Sequence, residues 1–322
     1  MTTLELPGLF DLQVNGFGGI DFNAPDLTED GVDAALARMR ESGVTRCLPT
    51  LITSSFERFA TSARVITRES RDAIAGLHME GPYISPEDGA RGAHPRADVA
   101  AASIDDFRRR QDAAAGRIRL VTLAPEVPGA LALIAYLVES GVRVAIGHTA
   151  AAPHQIADAI AAGATLATHL GNGCAQMLPR HPNVIWELLA ADEVSASIIA
   201  DGHHLPPATV KAMVRAKGTA RTVLVTDAIA AAGQPPGRYR IGGVACDLDA
   251  RGRVSLPGTP YLAGSALTLD RAIANTVRFA GASIEEAIAM ASTHPARFLG
   301  EEPLGTIRAE WDPVSYELRV VA

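Results

Sequence analysis

Short apolar runs alternate with amphipathic stretches along most of the chain. Eight runs read as strands: GLFDLQVN (8–15), TRCLPTLIT (45–53), AIAGLHMEG (73–81), IRLVTLAPE (118–126), RVAIGHT (143–149), TLATHLGN (165–172), SASIIADG (195–202) and TVLVTDAI (222–229). Helical patterns lie between them. TEDGVDAALARMRESG opens on a Thr cap with an acidic first turn and closes on Gly43. AAPHQIADAIAAG closes on Gly163, and PPATVKAMVRAKG starts with proline and closes on Gly218. Strands that alternate with helices predict a parallel sheet. Eight such units predict a closed (β/α)8 barrel, the TIM-barrel arrangement, rather than an open doubly wound sheet. No GxGxxG or P-loop pattern follows any of the strands, which takes support from a nucleotide-binding alternative.

The pattern changes after residue 232. GQPPGRYRIGGVACDLDARGRVSLPG (233–258) mixes turn signals with alternating residues and predicts a small β excursion. LAGSALTLDRAIANTVRFAG and SIEEAIAMASTHPARFLG read as closing helices, and WDPVSYELRVVA as a terminal strand. The barrel and its closing helices are thus expected over 7–232 and 259–300, with small β elements over 1–6, 233–258 and 301–322. There is no internal repeat and no low-complexity linker.

Composition narrows the function classes. A chain of 322 residues that is 48% hydrophobic can bury a large core. Its formal charge is −7 and it has no basic block, which argues against a nucleic-acid partner. The three arginines of DFRRRQ (106–111) read as a solvated helix face. No window approaches the roughly 18 apolar residues of a membrane span, and the start of the chain lacks the basic and apolar regions of a secretory leader. Three widely spaced cysteines, Cys47, Cys174 and Cys246, read as free thiols in a reducing compartment. A cytoplasmic protein is expected.

In a barrel of this kind chemistry belongs where strands end, on the C-terminal face. Four polar residues fall there: Glu80, His148, His169 and Asp227 close the third, fifth, sixth and eighth runs. Each alone has a plain structural reading, as a helix cap or a satisfied core histidine. Four on one rim point elsewhere. One carboxylate and two imidazoles suit a divalent metal, with Zn²⁺ the expected ion, and leave a position open for water. Asp227 is then free to act as general base.

The segments PGLFDLQVNGFGGIDFN, GLHMEGPY, RGAHP, IGHT, ATHLGN, IADGHH, LVTDAIAAAG and LAGSALT occur in this order. The ordered set resembles the N-acetylglucosamine-6-phosphate deacetylase family of the amidohydrolase superfamily, over residues 7 to 300. The resemblance implies that Glu80, His148 and His169 hold the metal. It implies that Asp227 takes a proton from the hydrolytic water and passes one to the leaving amine. It places His94, with Ala93, near the acetamido carbonyl, and Asn172, Gly173, Arg180 and His204 around the sugar phosphate. Leu262, Ala263 and Gly264 would line the substrate. In such enzymes the arginine can reach across from a second subunit, so the resemblance also implies a homodimer.

Two departures bear on substrate. The family usually continues THLYNAM after the sixth strand, where this chain has THLGNGCAQMLPRHPN. The family also carries a longer segment before the first strand, so its β-sandwich is expected here in reduced form.

Many amidohydrolases carry His-x-His on the first strand, and this chain has Gln13-Val14-Asn15. The spacing still sends both side chains to one face, but amides are poor Zn²⁺ ligands. A carboxylated lysine could bridge two ions, yet both lysines, Lys211 and Lys217, lie on the helix expected after the seventh strand. One metal per subunit is therefore expected. Among the remaining histidines, His78 reads as a neighbour of the ligands, His154 as exposed and His294 as structural. His181 is open, and only its place in the motif favours His204 over His203. Cys174 has no base beside it and reads as a free thiol. Three functions stay open: deacetylation of an amino-sugar phosphate, hydrolysis of another N-acyl or cyclic amide, and a catalytically inactive sugar-binding protein. Retention of His94, Arg180 and His204 favours the first, and the four rim residues argue against the third.

Overall fold

The computed structural model describes residues 1–321. Eight strands form its centre: β1 (Leu9–Val14), β2 (Val44–Ile52), β3 (Leu77–Glu80), β4 (Ile118–Leu123), β5 (Arg143–Ile146), β6 (Leu166–Ala167), β7 (Ser195–Ile198) and β8 (Thr222–Leu224). Each is hydrogen-bonded in parallel to the next in chain order. The circle closes at its upper edge. Val14 bridges Ala228, Asp227 N donates to Gln13 O at 2.9 Å, and Asn15 N donates to Ala228 O at 2.7 Å. The fold is the expected (β/α)8 barrel, with helices on its outer face.

Helix ends follow the local chemistry read from the sequence. Thr28 caps Glu29–Glu41 by accepting from Gly31 N, and Gly218 ends Pro207–Lys217. Apolar residues fill one continuous core between helices and barrel. Inside the barrel, beneath the rim, the filling is polar. Thr50 Oγ1 lies 3.2 Å from His78 Nδ1, His78 Nε2 lies 2.7 Å from Thr122 Oγ1, and Thr122 and Thr168 pair at 2.7 Å. Burial pushes the pKa of His78 down to about 4, so this ring is neutral and serves as a hydrogen-bond relay between strands.

The excursion is a three-stranded antiparallel sheet of Gly237–Ile241, Val244–Leu248 and Val254–Ser255. Its apolar face packs a small separate cluster against Ile52, Ile229 and Ala263 at the barrel mouth. Thr2–Pro7 pairs antiparallel with Thr306–Asp312, which pairs with Glu317–Val321. No helix among the described residues is long and apolar enough to cross a membrane.

Several local expectations are corrected. The tail is a hairpin rather than one strand, because Pro313 and the left-handed Tyr316 (φ 54°) turn the chain between Trp311 and Leu318. The last closing segment is two helices, Ile284–Ala291 and Thr293–Phe298. Pro295 has no N–H to offer the carbonyl of Ala291, and the chain breaks at Ser292. The arginines at 108–110 do not form one solvated face. Arg110 is buried, donating to Asp106 Oδ2 at 2.8 Å, while the same oxygen accepts from Tyr83 Oη. Arg108 and Arg109 lie over the rings of Tyr136 and Phe56.

Candidate active site

The strand ends that carry Glu80, His148, His169 and Asp227 converge on the barrel mouth. The parallel register aligns them: Glu80 lies opposite Ile52 on β2 and Thr122 on β4. His148, His169 and Asp227 stand just beyond their strands with φ of 49°, 30° and 50°. Left-handed backbone is uncommon for residues with a Cβ and is found where a site over-determines it. Here it ends the ladder and turns each side chain inward. It also explains why β6 and β8 are shorter than the apolar runs that predict them.

Glu80 Oε1 lies 3.2 Å from His148 Nε2 and 3.1 Å from His169 Nε2, and the two Nε2 atoms are 3.1 Å apart. All three residues are buried. The proton of His148 is on Nδ1, which donates to Ala90 O at 3.0 Å. In the neutral ring Nε2 then presents a lone pair to a carboxylate oxygen. A lone pair set against acceptors at this distance is satisfied by a cation between them. Two imidazoles and one carboxylate are a donor set for Zn²⁺ or a similar divalent ion. With no cation between them the imidazoles meet Glu80 only as protonated donors, and in that form they outweigh burial and hold its carboxyl well below the usual range. Gly173 sits against both rings, since a Cβ there would stand 3.0 Å from His148 Nδ1 and 3.1 Å from His169 Cε1.

Asp227 faces the cluster. Its Oδ1 accepts from Asn15 Nδ2 at 2.8 Å and Gln13 Nε2 at 3.1 Å. Burial, with the nearby charge of Glu80, raises its pKa above the ordinary carboxylate value. His94 lies over the His148 ring, with centroids 4.2 Å apart. The Thr53 backbone N–H donates to His94 Nδ1 at 3.4 Å, and the Thr53 hydroxyl lies 2.8 Å from the same nitrogen. The ring proton is therefore on Nε2, which points toward Glu80 Oε2 at 3.7 Å. Burial pushes the His94 pKa down to about 3, so the ring is a neutral donor.

The other residues singled out in the sequence divide. His204 is fixed through its Nδ1, which lies 2.7 Å from Asp201 Oδ2. His203 turns away and binds Arg251 O of the excursion. Leu262, Ala263 and Gly264 run beside Asp227, whose carbonyl accepts from Ser265 N at 2.9 Å. Ala93 packs on the same small cluster as Ala263. Asn172 folds back on the His169 carbonyl at 3.3 Å. Arg180 is exposed and is not brought into this constellation. His78 stays with the threonine relay, His154 is exposed, and His294 bonds Thr222 O. Lys217 is tied to Leu188 O and Ala191 O on the helical side, so it bridges nothing at the mouth.

Sequence reasoning missed Asp201, Thr53 and Asp11. Asp201 had a signal: it stands three residues before His204 in ADGHH and accepts both following N–H groups, at 2.8 Å each. Thr53 and Asp11 act only through tertiary contacts.

The amidohydrolase family profile matches residues 5–313. The chain is 37% identical to human N-acetylglucosamine-6-phosphate deacetylase, over 94% of its own length and 76% of that protein. It is 36% identical to N-acetylgalactosamine-6-phosphate deacetylase of Escherichia coli O157:H7, over 95% and 81%. The crystal structure of N-acetyl-D-glucosamine-6-phosphate deacetylase from Mycobacterium smegmatis superposes with a TM-score of 0.90 at 33% identity, over 100% of this chain and 86% of that one. The chain belongs to the amidohydrolase family, and within it to the branch of these amino-sugar-phosphate deacetylases.

Proposed function

We propose that this protein hydrolyses the acetamido group of an N-acetyl amino-sugar phosphate, N-acetylglucosamine 6-phosphate first among them, to acetate and the amino-sugar phosphate. The observation that carries this is the convergence of Glu80, His148, His169 and Asp227 in a chain similar to such deacetylases along nearly its whole length. The reading includes one divalent ion per subunit, Zn²⁺ by preference, held by Glu80, His148 and His169. Such an ion, when bound, polarises a carbonyl and acidifies water.

The chain's own residues supply the rest. Asp227 Oδ2, which has no protein partner among the described residues, takes a proton from water as the water oxygen bonds the acetamido carbon. It returns that proton to nitrogen as the carbon–nitrogen bond breaks. His94 donates from Nε2 to the carbonyl oxygen as that oxygen gains charge. His204, braced by Asp201, and Arg180 meet the sugar phosphate with Asn172 and Gly173, and Ala93 with Leu262, Ala263 and Gly264 forms the wall beside Asp227.

Further parts of the reading rest on narrower support. A homodimer fits the exposure of Arg180 in a stretch that also exposes Met177 and Trp186. A cytoplasmic protein fits three unpaired cysteines. A catalytic barrel at 7–232 and 259–300, with small β elements at 1–6, 233–258 and 301–322, fits the separate sheets of those segments.

The galactosamine epimer is the second reading, because relatives named for either epimer match at 37% and 36% identity. The test is acetate release from N-acetylglucosamine 6-phosphate, its galactosamine epimer and the unphosphorylated sugar, on protein assayed for metal. Turnover of a phosphorylated sugar alone supports the reading. No turnover of any sugar by metal-loaded protein overturns it and turns the search to other N-acyl and cyclic amides.

A further inference from the structure

Two side-chain amides on β1 address one oxygen. Gln13 Nε2 donates to Asp227 Oδ1 at 3.1 Å and to Glu80 Oε1 at 2.9 Å, and Asn15 Nδ2 donates to the same Asp227 Oδ1 at 2.8 Å. Gln13 and Asn15 are 2% and 1% exposed. Neither amide can be reversed, since that would set its carbonyl oxygen against a carboxylate. The arrangement leaves Asn15 Oδ1 buried with no protein partner among the described residues. An unsatisfied buried acceptor is costly and is kept where its residue has another task.

Closing the barrel is not that task. The backbone bonds Asp227 N to Gln13 O and Asn15 N to Ala228 O already do so, at 2.9 and 2.7 Å. What the amides add is direction and a neutral bridge. With Oδ1 held twice, the Asp227 carboxylate cannot rotate, and only Oδ2 is presented to the mouth. With one NH2 group shared between Glu80 and Asp227, two neighbouring carboxylates are bridged without a second cation between them.

We infer that Gln13 and Asn15 are positioning residues that lock Asp227 by Oδ1, and that Gln13 ties this lock to Glu80. The inference rests on the assignment of Asp227 as the proton carrier under the proposed function. It gives the strand that lacks His-x-His a defined role.

The test uses Gln13→Met and Asn15→Leu, which keep side-chain bulk and remove the donors, alone and combined with Asp227→Asn. Metal content, kcat, KM and the crystal structures are measured beside the wild type. Each single variant should keep its metal and lose about ten- to a hundredfold in kcat, the worth of a hydrogen bond to a charged group. KM should stay within about threefold, because the lock acts on the reacting geometry rather than on ground-state binding. In the Asp227→Asn background either change should cost less than about twofold more, since residues acting through one group are not additive. The crystal structure of Gln13→Met should show the Asp227 carboxylate turned from its native orientation. Wild-type kcat in both single variants, an unturned carboxylate, or losses that multiply in the double variants would overturn the lock. Loss of metal from Gln13→Met with the Asp227 carboxylate in its native orientation would overturn the lock and leave Gln13 as a support of Glu80 alone. A wild type that releases no acetate sinks the proposed substrate, and carboxylate orientation and metal content then decide the lock alone.

Discussion

His148 and His169 meet Nε2 to Nε2 at 3.1 Å, and each also faces the same oxygen of Glu80. Two of these three groups are held by side-chain hydrogen bonds of their own, and the third through its backbone. His148 is pinned through Nδ1 to Ala90 O and Gln13 donates to Glu80, whereas His169 is held through its backbone N–H, which donates to Ser197 Oγ at 2.7 Å, and its ring Nδ1 has no partner among the described residues. The donors are thus preorganised, and the energetic consequence of an ion between them can be measured.

A ligand that binds only the folded state stabilises it by mass action, about 4 kcal/mol at a thousandfold excess over Kd. Chelation should therefore lower the thermal midpoint by several degrees, on the order set by that energy for a chain of this size. Adding one equivalent of Zn²⁺ should restore it. His169→Ala should remove the response to both treatments. An identical midpoint with and without chelator in the wild type would mean that no ion is held by Glu80, His148 and His169.

Asp227→Asn tests proton transfer apart from architecture. An Asn carbonyl in place of Oδ1 still accepts from Gln13 and Asn15, so folding and metal content should be retained. The variant has no basic oxygen to take a proton. The expected loss in kcat is about 10²–10⁴-fold, the usual worth of a positioned general base. Metal-replete variant protein with near-normal turnover would remove Asp227 from that role.

The rim residues were legible because each is a polar residue that ends an apolar run at the place where a (β/α)8 barrel does chemistry. Glu80, His148, His169 and Asp227 needed no tertiary information beyond that rule. The lengths of β6 and β8 were not legible, since the left-handed turns at His169 and Asp227 are imposed by the assembled mouth. Arg110 looked solvated because its partners, Asp106 and the Phe59 ring, become a buried pocket only when neighbouring helices pack. Gln13 and Asn15 read as missing metal ligands. Their use as donors to Asp227, more than two hundred positions away in the chain, depends on closure of the barrel.

Asp11 predicts a pH-dependent stability. It is fully buried on β1, where its carboxylate accepts from Gln13 N and Thr226 N at 3.2 Å each and from the Thr226 hydroxyl. Burial outweighs these bonds and raises its pKa to about 7 from 3.8. Between those values the folded state keeps a proton that the unfolded chain has released. Stability from this group is complete below pH about 4 and is lost as pH rises toward 7, at up to about 1.4 kcal/mol per pH unit. Asp11→Asn should remove that slope, since its NH2 can donate to Thr226 Oγ1. Urea midpoints at pH 5 and pH 8 measure it. The wild type should lose more between the two than the variant, and parallel losses would show that Asp11 ionises normally in the fold.

Gly173 gives the sharpest test of how tightly the two imidazoles are set. Its φ is +57°, and an added Cβ would stand 3.0 Å from His148 Nδ1 and 3.1 Å from His169 Cε1. Gly173→Ala therefore meets two costs. The left-handed backbone costs about 1–2 kcal/mol for a residue with a Cβ. The methyl also presses on the ring atom that binds Ala90 O, and His148 can relieve the contact only by turning its Nε2 away from Glu80. Metal affinity should fall together with stability, by about tenfold or more if the ring shift costs a further 1.4 kcal/mol. The control is Gly218→Ala, which also carries positive φ, at +78°, but has open space around its Cβ position. It should lower the thermal midpoint while leaving metal affinity unchanged. Equal metal affinity in both variants would mean that the loop after β6 yields, and that the imidazole pair is set by Ala90 and Ser197 alone.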